Sequence, residues 1–400
     1  MKSPFYNILL GTEDISDFIS DFSYDDCLEK DSLLSIRIHP KNALEFLNRK
    51  DVTVNSDLKF KFGFLQGQMS QTQLAKIQDI DAKYDQNGIQ VTLKALDAGH
   101  YLKKNSNNKV FKNKTSSEIA YEIANDRGIS SDIDSTTEKW ENMPQGNLSD
   151  LHFLKKLCNL EDDYVCYIRS GTLYFKKRGL DNESKITYTY GEDDRVISFA
   201  PKQRTTGRDG SNSTVKLTQT NPYTGESNLE TLKTETQDKP KVLNNKSYNY
   251  DANGNPLNTT VKKDPGRSKT MVKQTQNKNE AKNISNNMNK KENLNSNEAT
   301  LIIEGNPLLE PKEIITMKGV ANRHSGNWQI IEVKHRISGS GFTTTLELKT
   351  NGTNDAGNIG KTPKKGSTNK SVGPDKKSNT KKIPTKKAKV YNYDVNANER

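Results

Sequence analysis

Cysteine is scarce in this chain of 400 residues: Cys27, Cys158 and Cys166 form an odd set of three with no CxxC spacing. That excludes a disulfide framework and a cysteine-built zinc site, and it fits assembly in a reducing cytoplasm. Apolar residues are also few. With 31% hydrophobic residues and two tryptophans, a good part of the chain must lie outside a packed core. No apolar run approaches the length that spans a bilayer, and the N-terminus offers only Ile8-Leu9-Leu10 before Glu13 and Asp14. Neither an export signal nor a membrane anchor is expected.

Chemistry-bearing motifs are missing too: there is no glycine-rich phosphate loop, no HExxH and no GxSxG. His39, His100, His152, His324 and His335 are scattered. For His335, no second histidine, cysteine or carboxylate lies at metal or triad spacing. The carboxylate runs Glu161-Asp162-Asp163 and Glu192-Asp193-Asp194 diverge along a loop rather than converging on one substrate, so they read as solvated turns. No catalytic, cofactor-binding or metal residue is assigned, and the chain does not read as an enzyme.

What is abundant is lysine. The formal net charge is +11, yet between Asn351 and Val390 eleven lysines face only Asp355 and Asp375. The basic bias is therefore a property of the tail, and the rest is close to balanced. Residues 351–389 have the composition of a disordered, flexible Lys-rich linker. Beyond it, Val390, Tyr391, Tyr393 and Val395 alternate like a strand, and residues 390–400 stand open between a tethered docking peptide and a solvated terminus. A nucleic-acid-binding protein using the lysine arm is the alternative function. Against it, the arm carries no interleaved aromatic before Tyr391.

Along the chain, Phe5 to Leu10, Ser32 to His39 and Leu58 to Phe64 alternate at period two, and Asn87-Gly88 is a hairpin turn. Residues 1–100 read as an N-terminal β-barrel. Lys103 to Lys114 read as a basic loop. Thr115-Ser116-Ser117-Glu118 then opens a helix whose stripe is Ile119, Ala120, Ile123 and Ala124, and which stops at Arg127-Gly128. Ser149 or Asn147 caps a second helix through Leu151, Leu154 and Leu157-Cys158, and Arg169-Ser170-Gly171 joins two strands. This defines an inserted α/β domain over 101–185. Residues 186–350 read as a second β-barrel interrupted by a polar insertion at about 231–298, which without an apolar stripe reads as an exposed connection or partly disordered insertion.

The most informative stretch is Leu301 to Thr350. Its strands are punctuated by Gly319, Ser325-Gly326 and Gly339-Ser340-Gly341. The glycines supply positive φ or close backbone approach, Trp328 fills an interior, and His335 alternates with Val333 along one strand. The ordered set Lys318-Gly319-Val320, Ser325-Gly326-Asn327-Trp328, Val333-Lys334-His335 and Gly341-Phe342-Thr343-Thr344 resembles the closing barrel segment of the phage late control D family. An acidic turn at Tyr24-Asp25-Asp26 and the run Gln145 to Leu151 resemble the same family elsewhere. The resemblance implies a mainly β structure with two tail-hub barrels, an inserted α/β domain and a polar helix over Asn279 to Lys290 leading into the final strands. It implies a homotrimer that acts as a structural baseplate hub, joining a six-fold tail tube to a three-fold central spike. The implied partners are the tail tube protein, the spike protein, other baseplate proteins and the tape-measure protein, in a virion tail baseplate.

Overall fold

The computed structural model describes residues 3–86, 88–104, 108–180, 182–203, 215–220, 227–232, 297–321 and 324–350, together with Asn283, Asn287 and Leu294. The expected linker over 351–389 and docking peptide over 390–400 lie outside the described residues, as does most of the expected polar helix, of which Asn283 and Asn287 are helical.

The first module comprises β1 (Pro4–Leu10), β2 (Glu13–Asp14), β3 (Ile19–Cys27), β4 (Leu33–Ile38), the short helix α1 (Ala43–Leu47), β5 (Asp57–Phe64), β6 (Gln73–Asp85) and β7 (Gly88–Asp97). Period-two patterning drives it: Leu58, Phe60 and Phe62 of β5 are buried while Asp57, Lys59 and Lys61 face water. Asp85 pairs with Gly88 at φ 108°, which is the tight hairpin expected at this point, although Asn87 itself lies outside the described residues. Phe22, Tyr24, Phe60 and Phe62 form the aromatic centre, with ring centroids 5.0–6.5 Å apart.

The insert holds β8 (Val110–Thr115), α2 (Ser116–Asp126), β9 (Ser130–Ile133), β10 (Lys139–Pro144), α3 (Asp150–Leu160), β11 (Tyr164–Arg169) and β12 (Thr172–Lys177). Helix α2 begins with a complete capping box between Thr115 and Glu118, and Gly128 follows its end at φ 64°. One expectation fails here. The basic stretch read as a loop contains β8, paired with β10, because Phe111 and Thr115 point inward while the lysines between them face outward. Lys109 and Lys114 bind Glu122 of α2, so the charges that suggested a loop brace an edge strand. The insert core gathers Phe111, Ile119, Trp140, Phe153, Leu157 and Phe175.

The last module comprises β13 (Ile186–Thr189), β14 (Val196–Gln203), β15 (Val215–Thr220), β16 (Ser227–Leu232), β17 (Asn297–Glu304), β18 (Ile314–Lys318), β19 (Gly326–Ser338) and β20 (Gly341–Thr350). The strands β15 and β16 form a separate antiparallel pair.

The two β modules are one sheet. Eleven strands follow the path β14-β17-β20-β19-β3-β4-β7-β6-β5-β1-β2, and β18 branches from β19 with β13 paired to it, which makes thirteen. The strand that allows this is the 13-residue β19, which pairs along one edge with β20 from Gln329 to Ser338. On its other edge the first half pairs with β18 and the second half with β3. At roughly 3.3 Å per residue β19 is about 40 Å long, enough to serve both modules in succession. The chain is thus mainly β, as expected. Its ladders draw an open path, and among the described residues they close no barrel.

Pairing with β19 also explains a second departure. Tyr24-Asp25-Asp26, expected as an acidic turn, lies inside β3 opposite Lys334 and its neighbours, where Lys334 sets its charge against Asp25.

Candidate functional site

The residues that tie the three modules together converge on Arg169, the last residue of β11. Its Nη2 lies 2.8 Å from Asp26 Oδ2 of the first module and its Nη1 lies 2.7 Å from Glu310 Oε2 of the last. Asp26 is 6% exposed and Arg169 9%. Burial pushes the Asp26 carboxyl above its ordinary value, against the pull of Arg169 and a 3.0 Å hydrogen bond from Ser32 Oγ. Burial likewise works against the guanidinium, yet Asp26 and Glu310 hold its pKa above normal. The two shifts do not mirror one another. The short, directed contacts decide for a charged bridge, because charge-assisted pairs of this length need both ions.

A second contact locks the same corner. Ser170 and Gly171, both at positive φ, turn β11 into β12, and their main-chain N–H groups donate to Asp97 Oδ2 and Oδ1 at 2.6 and 3.1 Å. Gly99 N–H donates to the same carboxylate at 2.9 Å. Burial raises the Asp97 pKa and these three bonds oppose it. The acidic run after α3 behaves differently from expectation: Glu161 is 4% exposed and accepts a 2.6 Å hydrogen bond from Ser116 Oγ. Ser116 Oγ in turn accepts from Trp140 Nε1 at 2.9 Å, so the carboxylate ends a buried chain rather than a solvated turn.

The residues singled out in the last module line up along β18, β19 and β20. Gly319, at φ 72°, follows β18, and a Cβ there would meet Tyr190 O at 2.4 Å. Gly326 and Gly341, at φ 114° and 118°, open β19 and β20. Trp328 is 1% exposed, edge-on to Phe199, and donates from Nε1 to His324 O at 3.1 Å. Thr343 pairs across the ladders with Arg336 and Glu304. Phe342 leaves its own module: it packs with Phe62 and Phe64 in the core of the first. His335 lies beside it, fully buried, with Nδ1 3.1 Å from Thr344 Oγ1 and its ring 4.5 Å from that of Phe62. The geometry gathers His335 and Phe342 at the seam between the β modules and leaves Gly319 and Trp328 at the far end. Among the described residues no cluster of histidine, cysteine or carboxylates could hold a metal, and no helix is long and apolar enough to cross a membrane.

Burial depresses His335 to about 3, which gives a signed expectation. Below its unfolded value near 6.5 the unfolded chain takes up a proton that the folded chain refuses, so His335 removes stability as pH falls. The loss is about 1.4 kcal/mol per pH unit from roughly pH 6 down to the folded value. Urea titrations at several pH values should show a shallower acid loss for His335→Gln than for the wild type. Parallel slopes would mean the imidazole titrates normally.

A family description matches residues 75–339, about two thirds of the chain: the Alg8 N-terminal domain. The chain belongs to the Alg8 N-terminal domain family. The matched span of this Alg8 N-terminal domain runs from within β6 to the end of β19 and so covers the whole insert and the Arg169 bridge to Glu310. No curated protein matches the chain. In fold it is similar to the 43 kDa tail protein of prophage MuSo2 from Shewanella oneidensis, with a TM-score of 0.59 at 11% identity over 87% of this chain and 96% of that one. It is similar also to the tail protein of Neisseria meningitidis MC58, with a TM-score of 0.58 at 12% identity over 87% and 96%.

Sequence reasoning missed the junction. Arg169 read as a turn residue, since nothing local reveals that its partners sit in two other modules. The one available signal was an arginine ending an apolar strand, Tyr164 to Ile168, where a charge needs a partner once buried.

Proposed function

We propose that this chain is a structural, non-enzymatic baseplate hub of a contractile phage tail or phage-tail-like particle, of the late control D type. The observation that carries the reading is coverage. The likeness in fold takes in 87% of this chain and 96% of each tail protein, so it extends across all three modules rather than one common domain. The open sheet supports it further. One chain presents two β modules side by side, and three chains in a ring would present six, which matches a six-fold tube on one face and a three-fold spike on the other. The sheet ends at β14 and β2, which pair with no further strand among the described residues, would close against neighbouring copies and complete barrel-type units. Its partners in this role are the tail tube protein, the central spike protein, other baseplate proteins and the tape-measure protein.

The test is the mass of the purified chain in solution by sedimentation and light scattering, with images of the same sample. Three copies forming a ring with six lobes are expected. A chain that stays monomeric at micromolar concentration, with and without a spike protein, overturns the hub.

A further inference from the structure

The β6–β7 hairpin outruns the strands on either side of it. β5 pairs with β6 only from Gln73 to Lys76, and Asn55 and Ser56 then take both main-chain groups of Ile77. β4 pairs with β7 no further out than Val91. From Asp79 to Asp85 the outer edge of β6 therefore has no strand beside it among the described residues. Asp85 pairs with Gly88 across a two-residue loop, which makes these two a hydrogen-bonded pair. Counting back by twos sets the main-chain groups of Tyr84, Ala82 and Ile80 on the open side, and none of the three has a main-chain partner there.

The side chains follow the same alternation. Ile80, Ala82 and Tyr84 share one face, opposite Leu93, Val91 and Ile89 of β7. Ala82 is exposed and Tyr84 is 66% exposed. The other face holds Asp79, Asp81 and Lys83, all exposed. The open stretch contains no proline and no charge on its apolar face, so it lacks two of the devices that stop one strand edge from accepting another.

This edge is complementary to itself. When a second copy runs antiparallel about Ala82, Ile80 faces the partner's Tyr84, Ala82 faces the partner's Ala82 and Tyr84 faces the partner's Ile80. Among two-fold registers it alone uses all three open residues, each pair exchanging two hydrogen bonds. On the charged face Asp81 falls opposite the partner's Lys83, and Lys83 opposite the partner's Asp81. Aromatic with β-branched and acid with base are both favourable pairs across strands. Only the ends oppose the match, where Asp79 meets the partner's Asp85, and there Lys83 lies 2.9 Å from Asp85 within its own chain.

We propose that the β6 edge from Asp79 to Asp85 is a self-association surface, through which two copies of this chain join β6 to β6 about a two-fold axis. The contact does not rest on the hub reading, since a three-copy ring has no two-fold axis between its members. It joins two chains where the chain is otherwise single, and two rings where it is not. So short a contact buries far less than a standard interface, and weak association is expected.

The test is sedimentation equilibrium of the full chain from about 1 to 300 μM, the range for a contact of this size. The mass should double across that range, from one copy to two, or from three to six where a ring forms, so this reading and the hub fail separately. Ala82→Pro should abolish the doubling. The N–H it removes points away from β7, so the hairpin keeps its own hydrogen bonds. Asp81→Lys should weaken association about tenfold, and adding Lys83→Asp should restore it, a rescue that damage to the fold cannot give. Asp79→Lys should tighten it by removing the like pair. A mass that does not rise with concentration overturns the surface and leaves the open edge to a strand of a different protein. A mass that doubles equally in Ala82→Pro overturns it as well, because the contact then lies elsewhere.

Discussion

Arg169→Ala should destabilise the chain by about 3–5 kcal/mol, the range seen when one member of a buried ion pair is removed. The cost arises less from the attraction lost than from what is left behind. Asp26, 6% exposed and already pushed above its ordinary value by burial, would be left with only Ser32 Oγ beside it, so it must hold an unpaired charge or take up a proton, and either is costly. Glu310, with a side chain 43% exposed, would turn to water at little cost. Asp26 therefore dominates, and a second substitution isolates it: Asp26→Asn in the Arg169→Met background should recover most of the loss, since a neutral amide tolerates that site without a cation. Arg169→Lys should fall between, because one ammonium cannot span two carboxylates held by different modules. Because the bridge joins three cores, the Arg169→Ala denaturation curve should also broaden or split as the modules begin to unfold separately. A loss under about 1 kcal/mol with an unchanged curve would show that the pair contributes no more than a surface bridge.

What the sequence makes legible here is local. The alternation in β5 and the Thr115 to Glu118 box each encode their element within a few residues, and the structure forms both. Where a residue type has two local meanings, the chain misleads. Lysines around Phe111 look like a loop until the outward face of an edge strand is recognised, and Tyr24-Asp25-Asp26 looks like a turn because aspartate favours turns. Glu161 looks solvated because its partner Ser116 Oγ sits on another helix. The long-range facts are illegible for a common reason. That one edge of β19 serves β18 and then β3 depends on strand length and on where a partner strand arrives, and neither is written in the composition of β19. Phe342 stood out in the sequence by its place among glycines, but its role in another module's core is a matter of tertiary geometry.

That role makes Phe342 the second sensitive position. Phe342→Ala should cost about 3–5 kcal/mol, as for a large aromatic removed from a packed interior. The ring is 5% exposed, lies 6.2 Å from Phe62 and 5.4 Å from Phe64 between centroids, and covers Gly305, where an added Cβ would stand 2.2 Å from its atoms. Each of these contacts joins the β19–β20 hairpin to something outside it, so the loss should fall on the seam between modules rather than on the hairpin alone. Gly305 supplies the control. Gly305→Ala alone should also destabilise, since the ring has Phe62, Phe64 and His335 around it and little room to retreat. In the Phe342→Ala background the same methyl group enters the space the ring has left, and its cost should shrink or reverse. The two substitutions must then be strongly non-additive, and a double-mutant cycle that sums within about 0.5 kcal/mol would mean the ring does not occupy the seam.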